Sequence, residues 1–237
     1  MTNGAGFSYV QARIQARHGR RPDESDWSRL ESCDSAHAYL EAARTGVFAD
    51  WAEGLTTEQD IHRLEAGIRR AWRGYLDRVA SWSPEPWCEA IEWCGCLPDL
   101  PLRAHAAITG ERPAWAPERD EAGGGTMPET LDAWRDAWYA RMPSANAAAR
   151  NGIRSLEAAV EAWLEANRDA ERASVSRSAT LRETLERRVI TVFRRHALDA
   201  AAVFAHLVLT ALDLQRFRGG LVRRQALSGR GVAGAPA

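Results

Sequence analysis

One apolar seam constrains the fold more than any other feature of this sequence. Between residues 58 and 82, large apolar side chains recur at intervals of three and four residues, the period of a helix with one buried face. Thr56 and Gln59 form a capping-box pair before the seam, and Pro84 ends it. The pattern predicts one long helix of roughly 37 Å, at 1.5 Å per residue. The members of the seam are Ile61, Leu64, Ile68, Trp72, Tyr75, Val79 and Trp82.

The remaining segments repeat this helical period, and none alternates with period two for long enough to predict a strand. Helices are predicted over residues 6–18, over 144–172, and from about 179 to 217. The last one becomes apolar on nearly all sides at 200–212, which is typical of the central helix of a bundle. The sequence therefore predicts an all-α fold, a multi-helix bundle of two helical lobes with no sheet.

Residues 111–128 separate the two predicted lobes. They contain several prolines and a run of three glycines, which favour a connection over a helix. We expect an N-terminal helical lobe at 1–110, a flexible connection at 111–128 and a C-terminal helical lobe at 129–220. Residues 221–237 are expected to form a basic, disordered tail.

Composition excludes several classes of protein. The chain has 237 residues and no lysine, so arginine supplies all 31 of the Lys+Arg positions. It therefore lacks the lysine of Schiff-base enzymes, Walker-type phosphate loops and protein kinases. The net charge of −1 provides no overall field that would attract nucleic acid or an anionic membrane. Since the N-terminus resembles no signal peptide and the longest apolar run is shorter than the roughly 20 residues of a membrane span, we expect a cytoplasmic protein.

The strongest metal-binding candidate is a group of three cysteines, Cys88, Cys94 and Cys96, followed by His105. Their spacing differs from the closely paired cysteines of structural zinc sites. On a helix, Cys94 and Cys96 would point about 200° apart and could not share one ion. We therefore predict that these cysteines are small buried side chains and that the chain holds no metal.

No motif for catalysis or for a cofactor stands out. The histidines form no H-E-x-x-H pattern. Asp199 and Asp213 would lie roughly 21 Å apart on one helix, too far to act as a catalytic pair. Residues 229–234 match G-x-G-x-x-G, but too little chain follows to form the helix that this motif requires. We predict no catalytic residue, no cofactor and no small-molecule substrate.

The C-terminal segment carries an excess of positive charge. Residues 214–237 contain five arginines and no acidic residue. This pattern predicts a docking surface for an acidic partner, an anionic lipid or nucleic acid, or else a solvated helix end. Nucleic acid is disfavoured because no helix-turn-helix spacing or interleaved aromatic residue accompanies the charge. The acidic stretch 118–136 could instead neutralise the arginines within the molecule. The residues predicted to contact a partner are Arg216, Arg218, Arg223 and Arg224.

Several segments resemble one known family. Residues 9–17 (YVQARIQAR), then 34–46 (DSAHAYLEAARTG) with 47–51 (VFADW), are similar to the opening helices of the V-type ATPase d-subunit and A-type ATPase C-subunit family. The long helix predicted at 58–82 matches that family's next element. Residues 212–219 (LDLQRFRG) resemble its closing pattern.

The resemblance implies a non-catalytic protein that needs no cofactor. Members of this family form a cytoplasmic socket that couples the central shaft of a rotary ATPase to its membrane rotor ring during ion transport. The implied partners are the other subunits of that ATPase, and the protein would be peripheral to the membrane through them. The alternative is a stand-alone helical adaptor that holds another complex together, at a membrane or elsewhere. The adaptor is favoured because family members are longer, with three lobes, and because residues 97–101 (LPDLP) stand where the family has an Asp-x-x-Asn signature.

Overall fold

The computed structural model describes residues 3–100, 131–143, 147–170 and 175–232. Over these residues it contains ten α-helices, two short 3₁₀ helices and no strand, so the all-α prediction is confirmed. The α-helices are α1 (Asn3–His18), α2 (Glu24–Glu31), α3 (Ala36–Arg44), α4 (Ala49–Ala52), α5 (Ile61–Trp82), α6 (Cys88–Glu92), α7 (Leu131–Ala140), α8 (Ala147–Ala170), α9 (Val175–Arg195) and α10 (Ala200–Val232). The 3₁₀ helices are Glu85–Trp87 and Trp93–Asp99.

The chain forms two compact units, each assembled from two separate stretches of sequence. The first unit comprises Met1–Gln15 and Leu76–Leu212, and the second comprises Ala16–Tyr75 and Asp213–Ala237. These units differ from the two contiguous lobes that the sequence suggested. The reason is that packing joins segments that lie far apart in the chain, which a search for linkers does not detect.

Two further expectations concerned the connection and the tail. Residues 111–128, expected to form a flexible connection, lie outside the described residues. Residues 221–232, expected to belong to a disordered tail, continue helix α10. Leu221 is fully buried and Arg224 is 5% exposed, so side-chain packing holds this part of the helix in place.

Helix α5 follows the predicted seam closely. Leu64, Ile68 and Val79 are buried together with the aromatic residues of the seam between them. The helix begins at Ile61, three residues later than predicted. The cause is Asp60, whose carboxylate accepts the backbone N–H of Arg63 at 2.8 Å and so acts as the N-cap.

In the first unit, helices α8 and α9 pack along each other, and aromatic rings fill the core around helix α10. The Phe204 ring lies 4.9 Å from Trp138 and 6.0 Å from Trp87, measured between centroids. The Trp138 indole N–H donates to the backbone carbonyl of Ala90 at 3.1 Å, which satisfies its buried polar atom.

In the second unit, aromatic side chains of helices α2 and α3 pack against Phe48, which precedes α4, and against Phe217 of helix α10. The ring of Trp27 lies 4.6 Å from that of Phe48, and the ring of Tyr39 lies 5.5 Å from that of Phe217. Asp23 begins α2 through a capping box with Asp26. The hydrogen bond from Ser25 and the backbone N–H of Asp26 lower the pKa of the Asp23 carboxyl.

Helix α10 is the most apolar helix of the structure. Every residue from Ala200 to Leu212 is buried, as predicted for a central helix. Within the described residues, Ala200–Leu227 is the one stretch long and apolar enough to cross a membrane. However, 83% of its most apolar window is buried within the protein, and core helices of globular proteins share this composition.

Candidate functional site

Arg216, the first arginine predicted to contact a partner, is held by two carboxylates of helix α2. Its Nε and Nη2 donate to the two carboxylate oxygens of Glu31 at 2.6 and 3.0 Å, a bidentate arrangement. Nη2 also lies 3.6 Å from Glu24, and the guanidinium carbon lies 4.4 Å from the Trp27 ring centroid. Burial lowers the pKa of Arg216, but the hydrogen bonds and charges of Glu31 and Glu24 outweigh it, so the pKa is raised.

Arg224 is buried and donates hydrogen bonds to backbone carbonyls. Its Nη2 donates to the carbonyl of Glu31 at 2.6 Å, and its Nε donates to that of Cys33 at 2.6 Å. Its Nη1 donates to the carbonyl of Gly220 at 2.9 Å, and its guanidinium lies over the Tyr39 ring at 4.6 Å. Glu31 is the last residue of α2, so Arg224 satisfies acceptors that the end of a helix leaves unpaired.

Two more arginines of the second unit are engaged with acids. Arg218 Nε lies 3.5 Å from a carboxylate oxygen of Glu65, whose other oxygen lies 3.6 Å from Arg69 Nη2. Arg21 donates from Nε and Nη2 to both carboxylate oxygens of Asp213, at 2.8 and 2.9 Å. Both pairs are largely withdrawn from solvent, so they contribute to the core of the unit and not to a free surface.

These contacts correct the predicted docking surface. Its charge was expected to be uncompensated, but only Arg223 of the four arginines is exposed. The compensating acids belong to helices α2 and α5, so a charge count along residues 214–237 does not include them. Of the acidic stretch 118–136, the described residues Asp132 and Asp136 lie beside Arg135. The three arginines that have partners within the chain are Arg216, Arg218 and Arg224, and the contact of the four arginines with a partner protein stays a prediction.

The three cysteines predicted to be small buried side chains are wholly or partly withdrawn from solvent. Cys94 and Cys96 are buried, and Cys88 is half-buried. The thiol of Cys88 donates to the carbonyl of Ala80, and burial raises the pKa of Cys88 and Cys94. His105 falls outside the described residues, and among those described no group of three or more His, Cys, Asp or Glu side chains could hold a metal ion. The absence of a metal remains a prediction.

Helix α9 carries an exposed basic surface that was not predicted from the sequence. Arg187, Arg188, Arg194 and Arg195 are exposed and occupy one arc of the helix about 120° wide, at 100° per residue. We call these four side chains the α9 arginine face. None of them forms a salt bridge with another described residue, and no Asp or Glu lies between positions 186 and 199. Two arginine pairs seven residues apart are the signal that could have revealed this face.

Helix α8 packs against the end of α9, next to the last two arginines of the face. Gly152 of α8 lies so close to this end that an added Cβ would lie 2.8 Å from His196 Nδ1. Leu198 is 48% exposed and adopts a left-handed φ of 65°, which is costly for a branched side chain. Its backbone N–H donates to the Gln11 side chain at 3.1 Å, which holds this conformation.

Comparisons with known proteins provide no relative from which a role for the α9 arginine face could be inferred. No protein-family model, no curated protein and no solved structure matches this chain.

Proposed function

We propose that this chain is a non-catalytic helical protein that binds an acidic surface of a partner protein through the α9 arginine face. The observation that carries the proposal is a set of four exposed arginines with no salt bridge to the described residues, beside an exposed leucine. Guanidinium groups bind carboxylates in a bidentate manner, and arginine is enriched among the residues that dominate binding energy at interfaces. An acidic protein with an apolar pocket for Leu198 fits this surface.

The first candidate for the assembly is a rotary ATPase, in which the chain would form the socket between central shaft and rotor ring. The support is the resemblance of residues 9–17 to the V-type d-subunit and A-type C-subunit family. Tyr9 is 55% exposed, and its hydroxyl accepts a hydrogen bond from Arg13 at 2.7 Å. The Arg13 guanidinium also lies 5.4 Å from the centroid of the Trp82 ring. Tyr9 and Arg13 are exposed and Trp82 is half-buried, and together they have the composition that interfaces favour.

The second candidate is a stand-alone adaptor for another complex. Residues 97–101 (LPDLP) favour it, because they stand where the resembling family has an Asp-x-x-Asn signature. In both cases we place the protein in the cytoplasm, peripheral to a membrane only through its protein partners.

Affinity purification at native expression, read by mass spectrometry, tests the proposal and separates the two candidates. Co-purification of rotor-ring and central-shaft proteins in comparable amounts supports the socket. Co-purification of a different stoichiometric assembly supports the adaptor. If no partner is recovered in stoichiometric amount after cross-linking, both candidates are wrong.

A further inference from the structure

A pocket in the first unit has no role in the proposed function. It has a volume of about 60 Å³ and lies among helices α7, α8 and α10 and the 3₁₀ helix at Trp93–Asp99. Since a water-sized group occupies ~10–15 Å³ by the same measure, the pocket accepts roughly four to six non-hydrogen atoms. Its walls are almost entirely apolar, and they include Leu97, Trp134, Trp138, Leu156, Leu164 and Phe204.

The charged residues at this pocket are predominantly acidic. Arg135, Glu157 and Glu161 belong to its lining. Arg135 lies 3.0 Å from Glu161, 3.3 Å from Glu157, 3.1 Å from Asp132 and 3.6 Å from Asp136. Four carboxylates thus surround one guanidinium, which leaves this set with a formal charge of −3. The lining alone carries a formal charge of −1, and the exposed Asp132 and Asp136, which lie beside Arg135 but outside the lining, bring the set to −3. This negative charge repels anions and attracts a cation.

Two features suit the pocket to a cation that carries an apolar body. The indole rings of Trp134 and Trp138 are stacked, with centroids 5.4 Å apart, and the face of an indole attracts ammonium groups. The Tyr139 hydroxyl donates to Glu157, which fixes the orientation of that carboxylate. Burial and, to a smaller extent, the hydrogen bond to Glu157 raise the pKa of the Tyr139 hydroxyl, so this group keeps its proton.

We propose that this pocket binds a small alkylammonium cation. The alkyl chain lies against the leucine and phenylalanine side chains, and the ammonium group lies at Glu157 and Glu161, with the tryptophan rings of the lining beside it. A carboxylate of the same length binds more weakly because the negative charge of the pocket repels it. An alcohol of the same length binds more weakly because it carries no positive charge to attract. The proposal is independent of the α9 arginine face.

The test is calorimetric titration of the full chain with n-butylammonium, 1-butanol and butyrate, three probes of nearly equal size. We expect n-butylammonium to bind at least tenfold more tightly than 1-butanol, and butyrate to bind most weakly. Saturable binding with equal affinities for the amine and the alcohol, or no saturable binding of the amine, would show that the space is only a packing void.

A pair of variants tests the role of the negative charge without altering the apolar walls. Glu161→Gln removes one carboxylate whose side chain is 49% exposed, so the fold should tolerate it. We expect a three- to tenfold loss of n-butylammonium affinity and an unchanged affinity for 1-butanol. Glu53→Gln, at an exposed position of the second unit, is the matched control and should change neither. Equal amine affinities for the two variants would overturn the proposal.

Discussion

Replacement of Arg224 by Gln should destabilise the protein strongly, whereas the same replacement of its neighbour Arg223 should not. Arg224 is 5% exposed and donates to three backbone carbonyls, whereas Arg223 is exposed. The two positions are adjacent on one helix and the substitution is identical. Helix propensity and net charge therefore change equally in both variants, and any difference in stability comes from the buried contacts.

The expected magnitude follows from those contacts. Each hydrogen bond from a charged donor contributes about 1.5–3 kcal/mol, and glutamine can replace at most one of the three. The cation–π contact with Tyr39 contributes about another 0.5–2 kcal/mol. After local rearrangement we expect Arg224→Gln to lower the free energy of unfolding by about 3 kcal/mol, and Arg223→Gln to change it by less than about 0.5 kcal/mol. At about 2–4 °C per kcal/mol, Arg224→Gln should lower Tm by about 6–12 °C.

Thermal and urea unfolding, followed by circular dichroism on both variants, measures this difference. If the two compact units unfold in separate transitions, the loss should appear in the transition of the second unit, to which Arg224 and its partners belong. A loss of less than about 0.5 kcal/mol for Arg224→Gln would refute the structural role assigned to this side chain.

The remaining predictions concern packing and metal content. Gly220→Ala should destabilise the protein by about 1–3 kcal/mol in urea unfolding, because the new methyl group would lie 2.5 Å from the Tyr39 hydroxyl. Gly219→Ala, which meets nothing within 4 Å, should instead stabilise it by about 0.5–1 kcal/mol, and the reverse order would contradict the packing described. Elemental analysis of protein purified without chelator should find no zinc, and one zinc per chain would refute the interpretation of Cys88, Cys94 and Cys96.

Local patterns predicted the helices well because a helix is a local structure. A helix places residues three and four positions apart on the same face, so the spacing of apolar residues predicts which face is buried. This rule predicted the buried face of α5, and the all-round apolar character of Ala200–Leu212 predicted a central helix. The start of α5 was predicted three residues early, because Asp60 competes with the capping pair Thr56 and Gln59 for the end of the helix. The sequence offers both possible starts of the helix and does not show which of them forms.

The candidate site was predicted poorly because charge compensation is not local. Arg216 and its partner Glu31 are 185 residues apart in the chain, and Arg224 finds its acceptors on the backbone. A charge count along a segment cannot include either kind of partner. The α9 arginine face was accessible to such a count, since residues 187–198 contain its four arginines and no acidic residue. Only the structure shows that this charge is exposed, whereas Arg216, Arg218 and Arg224 of the C-terminal segment are not.

The central claim is that the α9 arginine face, and not the C-terminal arginines, binds the partner. The most direct test measures the affinity of the isolated partner for Arg194→Gln/Arg195→Gln, with Arg20→Gln/Arg70→Gln as a control of equal charge at exposed positions. We expect the α9 variant to lose at least tenfold in affinity at low salt and to show a weaker salt dependence than the wild type, because screening acts on the charges that it lacks. The control should bind like the wild type. Equal affinities for the two double variants would contradict the account.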